Sequence, residues 1–427
     1  MATRTGAQGL PYGIGQFSPR WVAVFLALLA VVGVGAYAYS RQLMEGEVVT
    51  GLRDVGAMGG APWGLYIAFE LYVVGLGFGA MVLLALIRLQ GVTHLQPLVR
   101  TLGLMAVATL VLGGLSVIAD VGQPLRALVN LLRYARPMSA FFGTFTVGLV
   151  TSLVATTVYL YLDSRRDAAL LARQTSRWRW FLRLVAAGYR GTPAEERRHR
   201  QTSLVLAVAL LVLGVAAAST SGFVFGVQLG RAGWYSALQA PGFVVLALVA
   251  ATGALIVAAA TLRKVLGEEA RLTPRAFAWS NNLLLAVVLT YLYFQVAELL
   301  TSGYAGHHHE VRLTQALLQG QYAWFFWLSV GLLVAAAGVS AAQALARRHS
   351  LPLMVLAGVL VNLAAIGKRY LIVVPSLTTG GLLPYGPGSY SPTWVEYAVV
   401  VGLLALGLLL YFLFMKVFPI MEVPERR

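Results

Sequence analysis

The sequence predicts an all-α integral membrane protein of about ten transmembrane helices. Two observations carry this. Hydrophobic residues make up 59% of the 427 and charged residues only 11%, against roughly a quarter charged in an ordinary soluble domain. Mean hydropathy is +0.76, and the apolar residues fall in runs of about 18 to 25, the length a helix needs to cross a bilayer. The runs are 20–40, 63–88, 99–119, 138–162, 203–226, 236–262, 276–301, 322–346, 352–375 and 394–418.

Taken in order, the first run is too long, and too poorly equipped with a cleavage site, for a signal peptide, so it counts as a helix. The second follows Pro62-Trp63-Gly64 and carries Glu70, then Gly75, Gly77 and Gly79. Gly75 and Gly79 form a GxxxG pair, which lets helices approach closely. The third closes at Asp120. Between the fourth and fifth lies a long basic loop with Arg177-Trp178-Arg179-Trp180-Phe181-Leu182-Arg183-Leu184. Basic and aromatic residues interleaved in this way suit a helix lying in the membrane interface. The seventh run carries Glu298 near its end, the ninth Lys368 and Arg369, and the tenth opens on Glu396. His307-His308-His309-Glu310 follows the seventh run. Three consecutive histidines cannot all face one ion from a helix, so this segment reads as a solvated loop and no metal site is expected.

The net charge is +16, from 32 Lys+Arg against 16 Asp+Glu. In a soluble chain that excess would suggest nucleic acid; here it labels topology. An even number of spans puts both termini on one side. That side collects 23 of the 32 basic residues and the other collects 7. The positive-inside rule makes the basic side cytoplasmic. The expected location is a bacterial inner membrane, with both termini cytoplasmic and no nucleic-acid partner. The opposite loops are long and rich in Gly, Pro and aromatics; ordered loops of this kind usually cover a site or a partner subunit.

Ionisable residues inside spans are expensive and mark function by default. Glu70, Asp120, Glu298, Lys368, Arg369 and Glu396 all fall in the outer half. Glu70 is deepest and lies among glycines. Glu298 pairs with Lys368 or Arg369 to join helices, or the three transfer protons. The inner half has no carboxylate in any predicted span, so no proton pumping by this chain alone is expected. Cysteine is absent and all six histidines lie in loops or at helix ends, so no haem or iron–sulfur cluster is expected in this chain. Nucleotide-binding and hydrolase motifs are absent too. Three readings stay open: a quinone-linked anchor subunit of an oxidoreductase, a secondary transporter or ion translocator using the intramembrane Glu, Lys and Arg, and a purely structural anchor. A transporter would be supported by matched helix breaks in both halves, and none is visible.

The motifs taken together resemble the NrfD/polysulfide reductase membrane-subunit family, also represented in membrane-bound hydrogenases and alternative complex III. The residues carrying the resemblance are Pro62-Trp63-Gly64-Leu65-Tyr66-Ile67-Ala68 leading into the glycine helix, Asp120-x-Gly122-x-Pro124-x-Arg126, and Arg136-Pro137-Met138-Ser139. Lys368 to Pro375, Tyr390 to Glu396 and Phe418-Pro419-Ile420 follow, so that it extends from about 60 to 422. The resemblance implies two four-helix bundles, helices 2–5 and 6–9, flanked by helices 1 and 10. The divisions are then 1–62, 63–230 for the first bundle, 231–376 for the second, and 377–427. It implies a site for menaquinone or ubiquinone in the first bundle near the periplasmic face, and a periplasmic iron–sulfur subunit docked there that exchanges electrons with a catalytic subunit. Some smaller relatives carry a histidine where Glu70 stands, and an asparagine where Ile67 stands. Glu70 and Asp120 are the candidate proton acceptors for a quinol. Tyr66, Tyr72 and Ser139 are candidate donors to a quinone carbonyl, with Arg126 and Arg136 beside Asp120 or against the partner.

Overall fold

In the computed structural model the described residues are 14–53, 60–134, 148–174, 178–268, 272–304, 306–379 and 388–423. They form thirteen α-helices: α1 (Pro19–Glu45), α2 (Leu65–Leu89), α3 (Val99–Asp120), α4 (Pro124–Tyr134), α5 (Ser152–Gln174), α6 (Arg179–Ala186) and α7 (Pro193–Gly226), then α8 (Gln239–Leu266), α9 (Pro274–Tyr304), α10 (His308–Leu318), α11 (Ala323–Ala346), α12 (Leu351–Thr378) and α13 (Trp394–Val417). Nine of these are long and apolar enough to cross a membrane. The fourth predicted span, 138–162, lies partly outside the described residues. The chain is an all-α integral membrane protein, as its composition requires.

Helix ends follow local chemistry. Ser18 caps α1, with Pro19 in its first turn. Thr192 and Glu195 form a capping box at α7, and Thr393 and Glu396 another at α13. The α7 box starts that helix at Pro193, well before the apolar run, and α5 runs past the predicted end at 162 to Gln174. Hydropathy marks the membrane, not the helix; these polar ends extend beyond it. The expected interface helix is present as α6, which buries Leu182 and Ala186 against α5 and exposes Trp180 and Leu184. The segment read as a loop at His307 to Glu310 instead caps and opens α10.

The centre of the molecule is α2 and α8. Helix α2 packs on α3, α7, α8, α12 and α13, while α8 packs on α2, α7, α9 and α12. Helices α1 and α13 pair at the periphery. Two close approaches need glycine. A Cβ on Gly79 would run into the Ala247 backbone of α8, and one on Gly358 of α12 would sit 2.7 Å from the Gly253 carbonyl oxygen of α8. Gly75, the other half of the GxxxG pair, faces a side chain instead: its Cβ would lie 3.2 Å from Arg369 Nη2.

Two polar clusters tie the ends together. On the arginine-rich face Arg100 is 1% exposed. It bridges Asp167 at 2.8 Å and Asp163 at 3.2 Å, both on α5. It also donates to the carbonyls of Pro419 and Met421, seating the segment after α13. Arg88 joins Asp163 at 2.5 Å and pairs with Glu422. On the opposite face Glu396 is fully buried. Its carboxylate accepts the backbone N–H of Gly51 at 2.7 Å and of Thr393 at 2.9 Å, and the Tyr390 hydroxyl. The Leu65 N–H donates to the same hydroxyl at 2.6 Å. One carboxylate thus binds the loops before α2 and before α13 together.

Arg100→Leu leaves Asp167 without its cation and Asp163 with Arg88 alone, and should cost roughly 3 to 5 kcal/mol, read as a lower thermal-unfolding midpoint in detergent. The glycine pair should separate in the same assay. Gly79→Ala forces two backbones apart and should cost roughly 1 to 3 kcal/mol, whereas Gly75→Ala displaces only the end of an arginine and should change stability by less than about 1 kcal/mol.

Candidate functional site

The site begins with an arginine in an apolar core. Arg369 of α12 is 2% exposed. Its guanidinium lies over the Phe243 ring of α8, 3.8 Å from the centroid. Gly75 of α2 makes room for it, and its Nη1 has no hydrogen-bond partner among the described residues. A cavity of about 10 Å³ between Leu71, Gly75, Phe78, Ser221, Phe243 and Arg369 adjoins the guanidinium. Arg369 therefore reaches from α12 to α2 and α8.

Glu70 stands about one turn from Gly75 on α2. At 100° per residue it shares a face with Val74 and Gly77. Gly77 abuts Thr109 and Leu110 of α3, and Val74 abuts Gly113 of α3, so Glu70 lies on the face of α2 that meets α3. Its carboxylate makes no hydrogen bond or ion pair among the described residues, but lies within electrostatic range of Arg369 and of Asp120. Asp120 closes α3 with Oδ1 buried and unpartnered among the described residues. Glu47 and Glu396 are its other acidic neighbours. Glu70 of α2 thus lies within electrostatic range of Asp120 of α3 and of Arg369 of α12, toward the end opposite the arginine-rich face.

The tyrosines are committed elsewhere. Tyr66 is fully buried and donates to Gln42 of α1 at 2.8 Å, while Gln42 donates to Glu47 at 3.0 Å and to the Ala119 carbonyl at 2.8 Å. Tyr72 donates to Asn362 of α12 at 2.9 Å, from nearly the opposite face of α2 to Glu70. Arg126 is exposed on α4. Arg136 and Ser139 lie outside the described residues.

Lys368, Arg369's neighbour, faces a second cavity, which Arg369 and Phe243 also border. Its Nζ donates to Gln295 of α9 and lies 4.8 Å from the Phe326 ring centroid. Gln295 and Gln239 donate to Glu298 at 3.5 and 3.3 Å. Lys368 and Glu298 are thus linked through Gln295 rather than by a direct ion pair, and Arg369 leans toward Glu70. These groups line a cavity of about 80 Å³ that also includes Tyr291 and Glu310. It shares Ser302 and Glu310 with a wider recess of about 700 Å³ lined by His307, His308 and His309. Glu310 accepts the Gly233 N–H at 2.9 Å, and burial pushes its carboxyl up despite that bond.

Sequence reasoning did not single out Glu47, Gln239, Gln295 or Tyr291. Gln295 carried a signal: it stands three residues before Glu298, one helical turn away on the same face. Glu47 carried none, since it sits in a short turn whose neighbours only the fold assembles.

The sequence profile described as Polysulphide reductase, NrfD matches residues 55–380. A protein of Halobacterium salinarum named as a membrane subunit of dimethyl sulfoxide reductase is 30% identical over 95% of this chain and 92% of its own. A selenate reductase subunit of Mesobacillus selenatarsenatis is 25% identical over 92% of this chain and 93% of its own. The Hdr-like menaquinol oxidoreductase integral membrane subunit of Archaeoglobus fulgidus is 23% identical over 96% and 95%. With about three quarters of its length matched, including Glu70, Asp120 and Arg369, the chain belongs to the polysulphide reductase NrfD family.

Proposed function

We propose that this chain is the quinone-reactive membrane anchor of a multi-subunit oxidoreductase. It exchanges electrons with an iron–sulfur subunit on the outer face, which connects to a catalytic subunit, and protons near that same face. The observation that carries the reading is that Glu70 lies within electrostatic range of both Asp120 and Arg369, the arginine itself beside an apolar cavity. The relatives' names, which are those of reductase subunits and of a menaquinol oxidoreductase membrane subunit, support it.

The donor set fits a quinone head group. Such a group has two ring oxygens that need hydrogen-bond partners at the boundary of an apolar slot. Among the described residues Asp120 Oδ1 has unspent acceptor capacity and Arg369 Nη1 is an unspent donor, with Glu70 within electrostatic range of both residues. When bound, a quinone supplies two-electron, two-proton redox chemistry. Glu70 is the group that would accept a proton from a bound quinol. Asp120, at the end of α3 and within electrostatic range of Glu70, would be the next acceptor of that proton. Arg369 offsets the negative charge that two carboxylates would otherwise accumulate in a desolvated place. Leu71, Val74 and Phe78 exclude water from this side of α2. The chain has no cysteine and no histidine within its apolar runs, so metal ligands for the electron relay come from the partner.

Glu70→Gln keeps shape and removes the proton acceptor. In the purified complex, quinol-dependent turnover should fall by roughly 10²-fold or more while the partner proteins still co-purify. Wild-type turnover in that variant would remove Glu70 from the mechanism. Because the chain lacks cysteine, orientation can be read by single-cysteine labelling. Arg126→Cys should react with a membrane-impermeant maleimide in intact cells, and Lys264→Cys only after permeabilisation. The reverse pattern would invert the topology.

A further inference from the structure

A second polar recess lies at the opposite end of the molecule, independent of the quinone reading. It occupies about 180 Å³ between α5, the α6–α7 turn and α7. Its rim holds Arg165, Tyr189, Arg198 and His199, and its floor Tyr159 and Ser203.

The charge at this recess is uneven. The carboxylates at and beside it are engaged: Asp163 pairs with Arg88 and Arg100, Glu195 accepts the backbone N–H groups of Arg190 and Thr192, and the adjacent Glu196 pairs with Arg166 at 3.7 Å. The positive groups keep capacity. Arg165 uses Nε and Nη2 on the carbonyls that end α6, at 3.3 and 3.0 Å. Arg198 makes no hydrogen bond or ion pair among the described residues. The Tyr189 hydroxyl is buried and has no partner among the described residues. Cationic and hydroxyl donors without an acceptor are the complement of an oxyanion such as a phosphate.

The polarity is also graded along the helices. From Arg198 and His199, α7 passes through Thr202 and Ser203 to Leu206, and α5 passes from Arg165 through Leu162. Further toward the membrane centre the two helices expose Val158, Val205 and Val208. Beside the recess, α6 exposes Trp180 and Leu184 to 69% each, while Arg179 and Arg183 share the same helix. That is the pattern of a helix seated at headgroup depth. A phosphate in the recess would therefore sit at the level of lipid headgroups, above an apolar surface for acyl chains.

We propose that the recess formed by Arg165, Tyr189, Arg198 and His199 binds the phosphate of an anionic phospholipid from the leaflet at the arginine-rich face. Basic pockets between transmembrane helices recognise such headgroups by charge and hydrogen bonding. Here Arg198 and Tyr189 Oη supply the donors that the protein itself leaves open. The lipid would brace α5 against α7 where the α6–α7 turn crosses them.

The test uses the full-length, delipidated protein in detergent, with native mass spectrometry of bound dioleoyl phosphatidylglycerol, dioleoyl phosphatidylcholine or inorganic phosphate. Phosphatidylglycerol should bind the wild type in preference to phosphatidylcholine. Arg198→Gln combined with Tyr189→Phe should weaken it roughly fivefold or more, and the conservative Tyr189→Phe alone should weaken it less. Arg348→Gln, at another exposed arginine of the same face, should bind as the wild type. Unchanged phosphatidylglycerol binding in the double variant would overturn the proposal. So would an equal loss in Arg348→Gln, which would make the attraction diffuse. Inorganic phosphate that displaces the lipid at equal concentration would overturn the lipid as the source of the phosphate.

Discussion

A full charge taken out of water must find a partner, and in a bundle of apolar helices that requirement decides how the chain is assembled. Arg100 meets it with two aspartates and two carbonyls, and in doing so seats the segment after α13 against α3 and α5. Glu396 meets it with two backbone N–H groups and a tyrosine hydroxyl, drawing together loops that are more than three hundred residues apart in the chain. Neither cluster is decorative. Each replaces the hydration of a charge with bonds from several elements, so removing one member strands the others.

Arg369 is the informative exception. It is as buried as Arg100, yet no carboxylate among the described residues touches it. It rests on an aromatic face, in a gap that Gly75 leaves open, with Glu70 as a more distant counter-charge. A group left short of bonds in this way costs stability, which is reason to read the place as functional rather than structural. The contrast separates the two arginines: ion-paired to aspartates where Arg100 braces the chain, and without a touching carboxylate among the described residues where Arg369 lies near Glu70.

Much of the fold was legible because a bilayer imposes a length. The predicted spans 63–88 and α2, or 394–418 and α13, agree within a few residues. The polar extensions of α5 and α7 were not legible from hydropathy, since they leave the membrane while remaining helical. The candidate site was legible in part. Glu70, Asp120, Glu298, Lys368 and Arg369 announced themselves as ionisable groups at or inside apolar runs. The donors Tyr66 and Tyr72 announced themselves only as aromatics near a glycine helix, and their hydroxyls turn to Gln42 and Asn362. Which face of α2 a residue occupies can be computed from the sequence; which neighbour waits on that face cannot.

By itself the sequence determined the class and most of the spans, because those depend on local composition and on a solvent of known thickness. It also excluded metal ligation by cysteine or histidine within the apolar runs, since those ligand types are missing there. The tertiary structure alone decided the pairings. It sent Lys368 to Gln295 and its neighbour Arg369 to Phe243, toward Glu70. It gave Gly79 to a backbone and Gly75 to a guanidinium, and set Glu47 beside Asp120. Consecutive residues on a helix point about 100° apart, so partners are chosen by which helices pack together, and that choice belongs to the whole chain.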